Sequence, residues 1–236
     1  MLRRLLIILI LVVGLPGLAL AAELATWAEI STEGNDFILT ENASSESWTA
    51  TTSITFNFST LLDTGVPQGT DATLTLNAST TGDAYNNGGP GGTDGESGFT
   101  GTFTIISSWG TNLLSGNFSY GSLSGTDGGN AMTFQSADSS YHLTAVTFTS
   151  DYLNFNYYTE TLALSWSMSN LKPVLSITDE SITDDFLTSN NSAGSGNFSA
   201  DPLPPVVAEP ETLLLSGAAL LSIGLFLRKQ KLRTVR

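Results

Sequence analysis

The triplet Asp63-Thr64-Gly65 has the residue types of a catalytic aspartate motif. Acid hydrolases of that kind use two aspartates that share one proton. This chain carries one copy, so a second molecule would have to supply the partner. Asp and Gly are also common turn residues. We therefore expect a turn here and no catalytic role for Asp63.

His142 is the only histidine, and the chain has no cysteine. A Ser–His–Asp site would need this residue, but it lies in a segment expected to be a strand, so we interpret it as a surface or cross-strand histidine. A histidine-based zinc site is disfavoured, because carboxylates alone rarely hold zinc. The many Asp and Glu residues leave a carboxylate-based hydrolase open. No spacing supports one, and we expect no enzymatic activity.

Two glycine-rich segments, 88–96 and 125–130, could hold calcium through Asp, Glu and backbone oxygens. Neither has the spacing of an EF-hand, so the expected structure of both is a flexible loop. The acidic residues of segment 179–185 are expected to form a solvated edge. We predict no metal site and no cofactor, with Ca²⁺ as the alternative.

Exposed aromatic residues could stack on sugars. Trp48 and Trp166 fall on the apolar faces of their strands and are expected in the core. Trp109, in Ser107-Ser108-Trp109-Gly110, lies at a strand end. It is the candidate sugar contact of a carbohydrate-binding or adhesin module.

Alternation of apolar and polar residues predicts an all-β domain. The clearest segments are 48–58, 99–105, 114–120, 153–157 and 162–168, and the weaker ones are 38–40, 73–76, 131–135 and 143–148. Many short strands separated by Gly, Asn, Asp and Ser predict an antiparallel β-sandwich or jelly roll over 22–187. The segment 82–98 is expected to be a loop too polar to pack, and 188–207 a Ser/Asn/Gly/Pro linker.

The first 21 residues have the organisation of a signal peptide. Arg3 and Arg4 precede the apolar run 5–15, and Ala19-Leu20-Ala21 fits an A-x-A cleavage site. The predicted mature chain begins at Ala22, with Glu23 as the alternative start.

The C-terminal end has three parts. A Pro-rich stretch, 202–210, precedes the uncharged run 212–227, which predicts a single transmembrane helix slightly shorter than usual. The stop-transfer cluster within the basic tail 228–236 then favours the cytoplasmic side; its residues are Arg228, Lys229, Lys231 and Arg233.

The charge between the two ends is strongly acidic. All 22 acidic residues lie between Glu23 and Glu211, where Lys172 is the one cation, so this span carries a formal charge of −21. Such a surface repels nucleic acid and attracts divalent cations. No nucleic-acid partner is expected.

The hexapeptide Val207-Ala208-Glu209-Pro210-Glu211-Thr212, followed by the apolar helix and basic tail, resembles the PEP-CTERM sorting signal. Two segments of the body, 99–103 and 195–202, are also similar to small β-rich members of that group. Ala208 stands where the signal usually has its first proline, while Glu209 and Pro210 remain. The sorting signal then covers 208–236, with its motif at 208–211.

That resemblance implies export in a Gram-negative bacterium through an inner-membrane intermediate. It also implies cleavage near the motif by an exosortase-type enzyme, placement at the cell surface or outside the cell, and association with exopolysaccharide or biofilm. The sequence therefore predicts a non-catalytic surface or matrix protein. Its acidic, Ser/Thr-rich surface would interact with polysaccharide, including through cation bridges. The sugar-binding module around Trp109 is the alternative, and a hydrolase ranks behind both.

Overall fold

The computed structural model describes residues 22–30, 36–42, 44–89, 91–137, 145–155, 161–177, 186–201 and 203. Within them, eleven β-strands account for the regular structure. They are β1 (Ala22–Glu29), β2 (Phe37–Asn42), β3 (Ser45–Phe58), β4 (Thr70–Thr80), β5 (Ala84–Asn87), β6 (Thr93–Ser107), β7 (Asn112–Thr126), β8 (Ala131–Ala137), β9 (Val146–Thr149), β10 (Thr161–Lys172) and β11 (Asn190–Asp201).

The strands form one sheet whose pairings close on themselves. Neighbours follow the order β6-β4-β3-β1-β11-β10-β8-β7, and β7 pairs back to β6. Three shorter strands extend this ring: β5 beside β6, β9 beside β7, and β2 between β3 and β11. Every pairing in the described part is antiparallel, so the prediction of an all-β antiparallel domain is confirmed. The prediction of two stacked sheets is not confirmed, because the long β6–β7 hairpin joins both halves into one closed sheet.

The alternation seen in the sequence is the alternation between the inside and outside of this sheet. Along β4, buried and exposed residues alternate strictly over all eleven positions. β3 follows the same rule, with Trp48, Ile54, Phe56 and Phe58 inside and threonines mostly outside. Because side chains on a strand point to opposite faces in turn, one sequence period fixes both the core and the outer surface.

Aromatic rings fill the interior from wall to wall. Trp48 on β3 meets Phe134 on β8 with ring centroids 4.8 Å apart. Phe103 on β6 stacks on Phe198 of β11 at 5.0 Å. In each pair the two strands lie on opposite sides of the closed sheet. Two aromatic rings in contact, one from each wall, therefore span the interior. An eight-stranded closed sheet is about wide enough to be filled by its own side chains, as observed here.

Trp166 lies at the centre of this aromatic core. Its side chain is fully buried, and its ring centroid lies 5.5–6.4 Å from those of Trp27, Trp48, Phe103, Phe118, Phe134 and Phe198. Trp48 is also fully buried, so the prediction that both tryptophans belong to the core is confirmed.

The predicted linker 188–207 is wrong over most of its described length. Residues 190–201 form β11, which pairs with both β1 and β10 inside the sheet. Its small residues have a packing role: a Cβ on Gly196 would collide with the Trp166 ring, and one on Gly194 would lie 2.9 Å from Trp27 Cη2. The strand is therefore poor in large side chains because the indoles press against its backbone.

The predicted loop 82–98 is also wrong. It contains β5 and the first part of β6, which form a hairpin. Gly95 lies under the Tyr85 ring, with an ideal Cβ only 2.6 Å from Tyr85 Cζ. The glycine is thus covered by a cross-strand aromatic. Within the predicted strand 153–157, Leu153 forms only a bridge, and 156–157 lie outside the described residues.

No helix in the described part of the chain is long and apolar enough to cross a membrane. The predicted helix 212–227, the signal peptide 1–21 with Ala19 and Ala21, and the sorting motif 208–211 all lie outside the described residues, as do the basic tail and His142.

Replacing Trp166 with alanine should destabilise the domain by about 3–5 kcal/mol, because it empties the centre of the aromatic core. The matched control is Trp109→Ala. That tryptophan is 55 % exposed, so its loss should change stability by less than about 0.5 kcal/mol. Chemical denaturation followed by circular dichroism measures both. Equal effects of the two variants would contradict this account of the core.

Candidate functional site

One outer face of the sheet carries a regular array of hydroxyl and amide groups. Strand register places Thr51, Thr75 and Thr104 in one row across β3, β4 and β6. Thr49, Asn77 and Thr102 form the next row. We call these six exposed residues the hydroxyl face. Neighbouring strands are about 4.8 Å apart, and successive outward residues on a strand are about 6.7 Å apart.

The same rows continue onto two more strands. Thr104 pairs with Ser115, and Thr102 pairs with Asn117 on β7. On β9, Thr149 and Thr147 follow in the same two rows. The extended rows contain no Asp, Glu, Lys or Arg, although the chain is strongly acidic. This face is therefore polar and uncharged.

A groove of about 420 Å³ opens on the hydroxyl face where β2 meets β3. It is lined by the polar residues Thr49, Thr51, Thr75 and Asn77, together with Asp36, Ile38, Ala50 and Leu76. Ile38 is 41 % exposed. The volume is within the range of small-ligand sites, which combine apolar contact with a few placed polar groups.

A break between two strands creates one end of this groove. β1 pairs with β3 up to Ile54, and β2 pairs with β3 up to Ala50. Opposite the break, the Thr52 hydroxyl lies 2.7 Å from Asp36 Oδ2 and 3.2 Å from Glu29 Oε1. The Gly194 N–H donates to Glu29 Oε2 at 2.9 Å. Thr52 and the Gly194 backbone thus hold two carboxyl groups side by side.

The Glu29 pKa is raised above its usual value by burial, and the neighbouring Asp36 carboxyl raises it further. The Gly194 and Thr52 hydrogen bonds oppose that shift. Asp36 is the acidic group at the wall of the groove, where it can accept hydrogen bonds from hydroxyl groups of a ligand.

Trp109 lies in the turn between β6 and β7. The Gly110 N–H donates to Ser107 O at 2.9 Å, and the Ser108 N–H donates to Asp71 O at 3.1 Å. These bonds fix the turn and leave the indole 55 % exposed, which agrees with the predicted strand-end position. Asp63 lies exposed in the loop between β3 and β4, as expected for a turn residue.

The structure brings together the two glycine-rich segments that were considered as calcium loops. The Asp127 N–H donates to Gly92 O at 3.0 Å, and the Gly91 N–H donates to Asp127 Oδ2 at 3.1 Å. Asp94 is 1 % exposed and accepts from the Asn86 amide at 2.6 Å. Burial raises the pKa of Asp94, and the Asp127 carboxyl adds to the shift. Thus Asp94 and Asp127 form a second pair of carboxyl groups.

The third pair is buried inside the end of the closed sheet. Glu46 on β3 and Glu96 on β6 are both fully buried. Burial raises the pKa of Glu46 to about 11, and the adjoining Glu96 carboxyl contributes. The Glu96 pKa is also raised by burial, against the effect of its hydrogen bonds with Glu46 and Leu187. The Leu187 N–H donates to Glu96 Oε2 at 3.3 Å. At neutral pH the pair therefore shares one proton, held on Glu46.

Within the described part of the chain, no group of three or more His, Cys, Asp or Glu side chains is arranged to hold a metal ion. The carboxyl groups instead meet in pairs. The acidic cluster at 179–185 lies wholly outside the described residues, so its expected role as a solvated edge stays a prediction.

Sequence reasoning missed both the groove and the carboxyl pairs. The hydroxyl face had a signal, because the threonines repeat at every second position of β3, β4 and β6. The pairing of Glu46 with Glu96 had no signal in the sequence, because fifty positions separate the two residues and only the strand order brings them together.

Comparison of the chain with protein-family models, with curated proteins and with solved structures found no match.

The buried carboxyls predict that the domain loses stability as pH rises. The folded Glu46 keeps a proton that the unfolded chain loses above pH 4.5, so the loss extends from about pH 4.5 towards 11. One such proton gives a slope of up to about 1.4 kcal/mol per pH unit. Denaturant midpoints at pH 5, 7 and 9 measure it in chelated buffer. Glu46→Gln should flatten the slope and the exposed-site control Asp63→Asn should not; a stability that rises with pH would refute the prediction.

Proposed function

We propose that this chain is an exported, non-catalytic protein of the cell surface or extracellular matrix that binds neutral polysaccharide on its hydroxyl face. The observation that carries the proposal is the groove among Thr49, Thr51, Thr75 and Asn77, in which Asp36 is the one charged lining residue of an otherwise hydroxyl- and amide-bearing surface. The signals at both ends of the sequence supply the proposed location.

The chemistry of the groove suits a neutral sugar chain. Hydroxyl and amide groups both donate and accept hydrogen bonds, as sugar hydroxyls do. Asp36 adds a carboxylate acceptor, and Ile38 offers an apolar contact for the C–H face of a sugar ring. The surrounding negative charge would repel polyanions, so a neutral polymer is preferred over an acidic one.

Export supports the same proposal. The signal peptide 1–21 and the sorting signal 208–236, with its transmembrane helix 212–227, would carry the domain across the inner membrane and hold it there until an exosortase-type enzyme cleaves near Glu209 and Pro210. The domain would then act at the cell surface or outside the cell, in contact with exopolysaccharide.

Removing two neighbouring hydroxyls from the groove should weaken polysaccharide binding about tenfold, the effect of losing roughly 1.4 kcal/mol of hydrogen bonding. The test variant is Thr51→Ala/Thr75→Ala, a cross-strand pair of the hydroxyl face. The control is Ser167→Ala/Ser195→Ala, an exposed cross-strand pair on β10 and β11. Affinity electrophoresis in gels containing neutral or acidic polysaccharide measures both.

Equal weakening in the two double variants would rule out the hydroxyl face as the binding surface. No retardation of the unmodified protein by neutral polymers from its own host matrix would rule out the proposed ligand class.

A binding module centred on Trp109 is the second candidate, favoured by the 55 % exposure of that indole in a fixed turn. An exposed aromatic ring such as this indole can stack on the face of a sugar ring. Under this alternative, Trp109→Ala abolishes polysaccharide binding while Thr51→Ala/Thr75→Ala retains it. The same electrophoresis experiment therefore separates the two candidates.

The proposed processing predicts a mature protein that ends near residues 208–212 and lacks the apolar helix. Mass spectrometry of the C-terminal peptide from surface and membrane fractions of the native host measures the terminus. An intact Arg236 in the membrane fraction would instead mean that the helix is a permanent anchor and that no processing takes place.

A further inference from the structure

The first and last strands of the domain leave the closed sheet at the same end. Ala22, the first residue of β1, pairs with Ala200 near the end of β11. Asp201, the last residue of β11, pairs with Thr161 at the start of β10. Both predicted membrane segments therefore attach to this end of the sheet, which we call the terminal end.

Two exposed apolar side chains also lie at the terminal end. The β3–β4 loop and the β6–β7 turn are found there, because β3 ends beside the start of β1 and β6 ends beside the start of β4. Leu61 in the loop is 74 % exposed, and Trp109 in the turn is 55 % exposed. The end of the domain that carries the membrane segments thus also presents a leucine and an indole to its surroundings.

The backbone holds both side chains at this end. The Ser59 N–H donates to Leu24 O at 2.9 Å, which ties the start of the Leu61 loop to β1. The turn that carries Trp109 is bonded to the start of β4 through Asp71 O, at 3.1 Å. Both side chains are therefore presented from turns that are attached to the sheet.

The chain between the sheet and the predicted transmembrane helix is short. Leu203 packs against the core, and the predicted helix begins at Thr212. The intervening nine residue steps reach at most about 32 Å when fully extended. While the helix remains attached, the terminal end therefore stays within that distance of the bilayer.

We propose that the terminal end faces the membrane and that Leu61 and Trp109 contact the bilayer surface while the helix 212–227 is attached. This inference rests on the proposed export and membrane anchoring. An indole suits the contact because it combines an apolar ring with a polar N–H, and tryptophan is enriched at membrane–water interfaces. The helix already holds the domain beside the lipid, so a weak contact suffices to orient it.

The acids of the terminal end restrict the kind of lipid that fits it. Glu23, Asp63, Asp71 and Asp151 are exposed there, and no Lys or Arg accompanies them in the described part of this end. Anionic headgroups would repel such a surface. The matching partner is therefore a neutral, zwitterionic lipid.

This orientation leaves the groove free. Thr51 lies seven residues before Phe58, the last residue of β3, which corresponds to about 23 Å along the strand. The hydroxyl face would therefore stay accessible to polysaccharide while the domain is anchored.

The test measures quenching of tryptophan fluorescence by brominated lipid. Trp27, Trp48 and Trp166 are buried in the core, so Trp109 is the tryptophan that can meet lipid. The full-length chain is produced in a Gram-negative host without an exosortase-type enzyme and is reconstituted into phosphatidylcholine vesicles with or without bromine on the acyl chains. We expect lower emission in the brominated vesicles, and recovery of emission when anionic phosphatidylglycerol replaces part of the phosphatidylcholine at low salt.

Trp109→Phe should abolish the difference in emission between the two kinds of vesicle. Two further variants then place a tryptophan elsewhere on the Trp109→Phe background. Leu61→Trp, at the terminal end, should restore the quenching. Val174→Trp is the matched control and should not be quenched, because Val174 is 47 % exposed but follows β10 at the opposite end of the sheet.

Equal emission of the unmodified protein in brominated and ordinary vesicles would overturn the proposal. Equal quenching of Leu61→Trp and Val174→Trp would also overturn it, since the domain would then have no preferred end towards the bilayer. An indole that escapes quenching and whose alanine variant loses polysaccharide binding would belong to the sugar-binding alternative. Failure of the full-length chain to float with the vesicles would instead refute the proposed membrane anchor itself, a result distinct from the absence of quenching in a chain that floats.

Discussion

Packing of aromatic rings across the interior of the closed sheet is the interaction on which the rest of the structure depends. The chain has no cysteine, so no disulfide can hold the strands together. Trp48, Trp166 and Phe103 come from different walls and meet at the centre. Each aromatic pair adds about 0.5–1.5 kcal/mol beyond the area it buries. The rings also restrict the sequence of β11, since a Cβ at Gly194 or Gly196 would collide with the aromatic side chains packed against them.

The dense interior leaves several buried polar atoms without hydrogen-bond partners. The indole N–H groups of Trp27, Trp48 and Trp166 have no acceptor in the described protein. The nearly complete lack of basic residues creates the same problem for carboxyl groups: Glu46, Glu96 and Asp94 are buried beside other acids. Both deficits sit inside a core that ring packing stabilises. The stability of this domain therefore depends on the protonation of its buried acids.

The inner and outer faces of the sheet carry different side chains. Alternation places rings inside and threonines outside on the same strands, so the hydroxyl face is as regular as the core beneath it. The paired strands hold these hydroxyls at strand spacing, which would lower the entropy lost on binding the proposed ligand. The break between β1 and β2 adds the groove and places Asp36 at its wall. The closed sheet thus presents an ordered polar surface.

The sequence by itself determined the parts of the protein that depend on local pattern. Alternation predicted β3, β6, β7 and β10, the weaker segment within β4, and the burial of Trp48 and Trp166, because on a strand side-chain direction follows from position alone. The strand-end position of Trp109 predicted its exposure. The proposed export signals are likewise local patterns of charge and hydrophobicity, predicted from the sequence alone. Composition also showed that acids in this domain would lack basic partners.

Only the tertiary structure decided what depends on residues distant in the chain. It placed the Gly- and Ser-rich residues 190–201 in the sheet, where small side chains are required by indoles from other strands. It closed one sheet through β6 and β7 instead of stacking two. It also joined Glu46 to Glu96 and Asp94 to Asp127, and opened the groove beside Asp36. None of these could be read locally, because strand order and cross-sheet packing set the neighbours of a buried side chain, and neither is encoded in the spacing of residues along one strand.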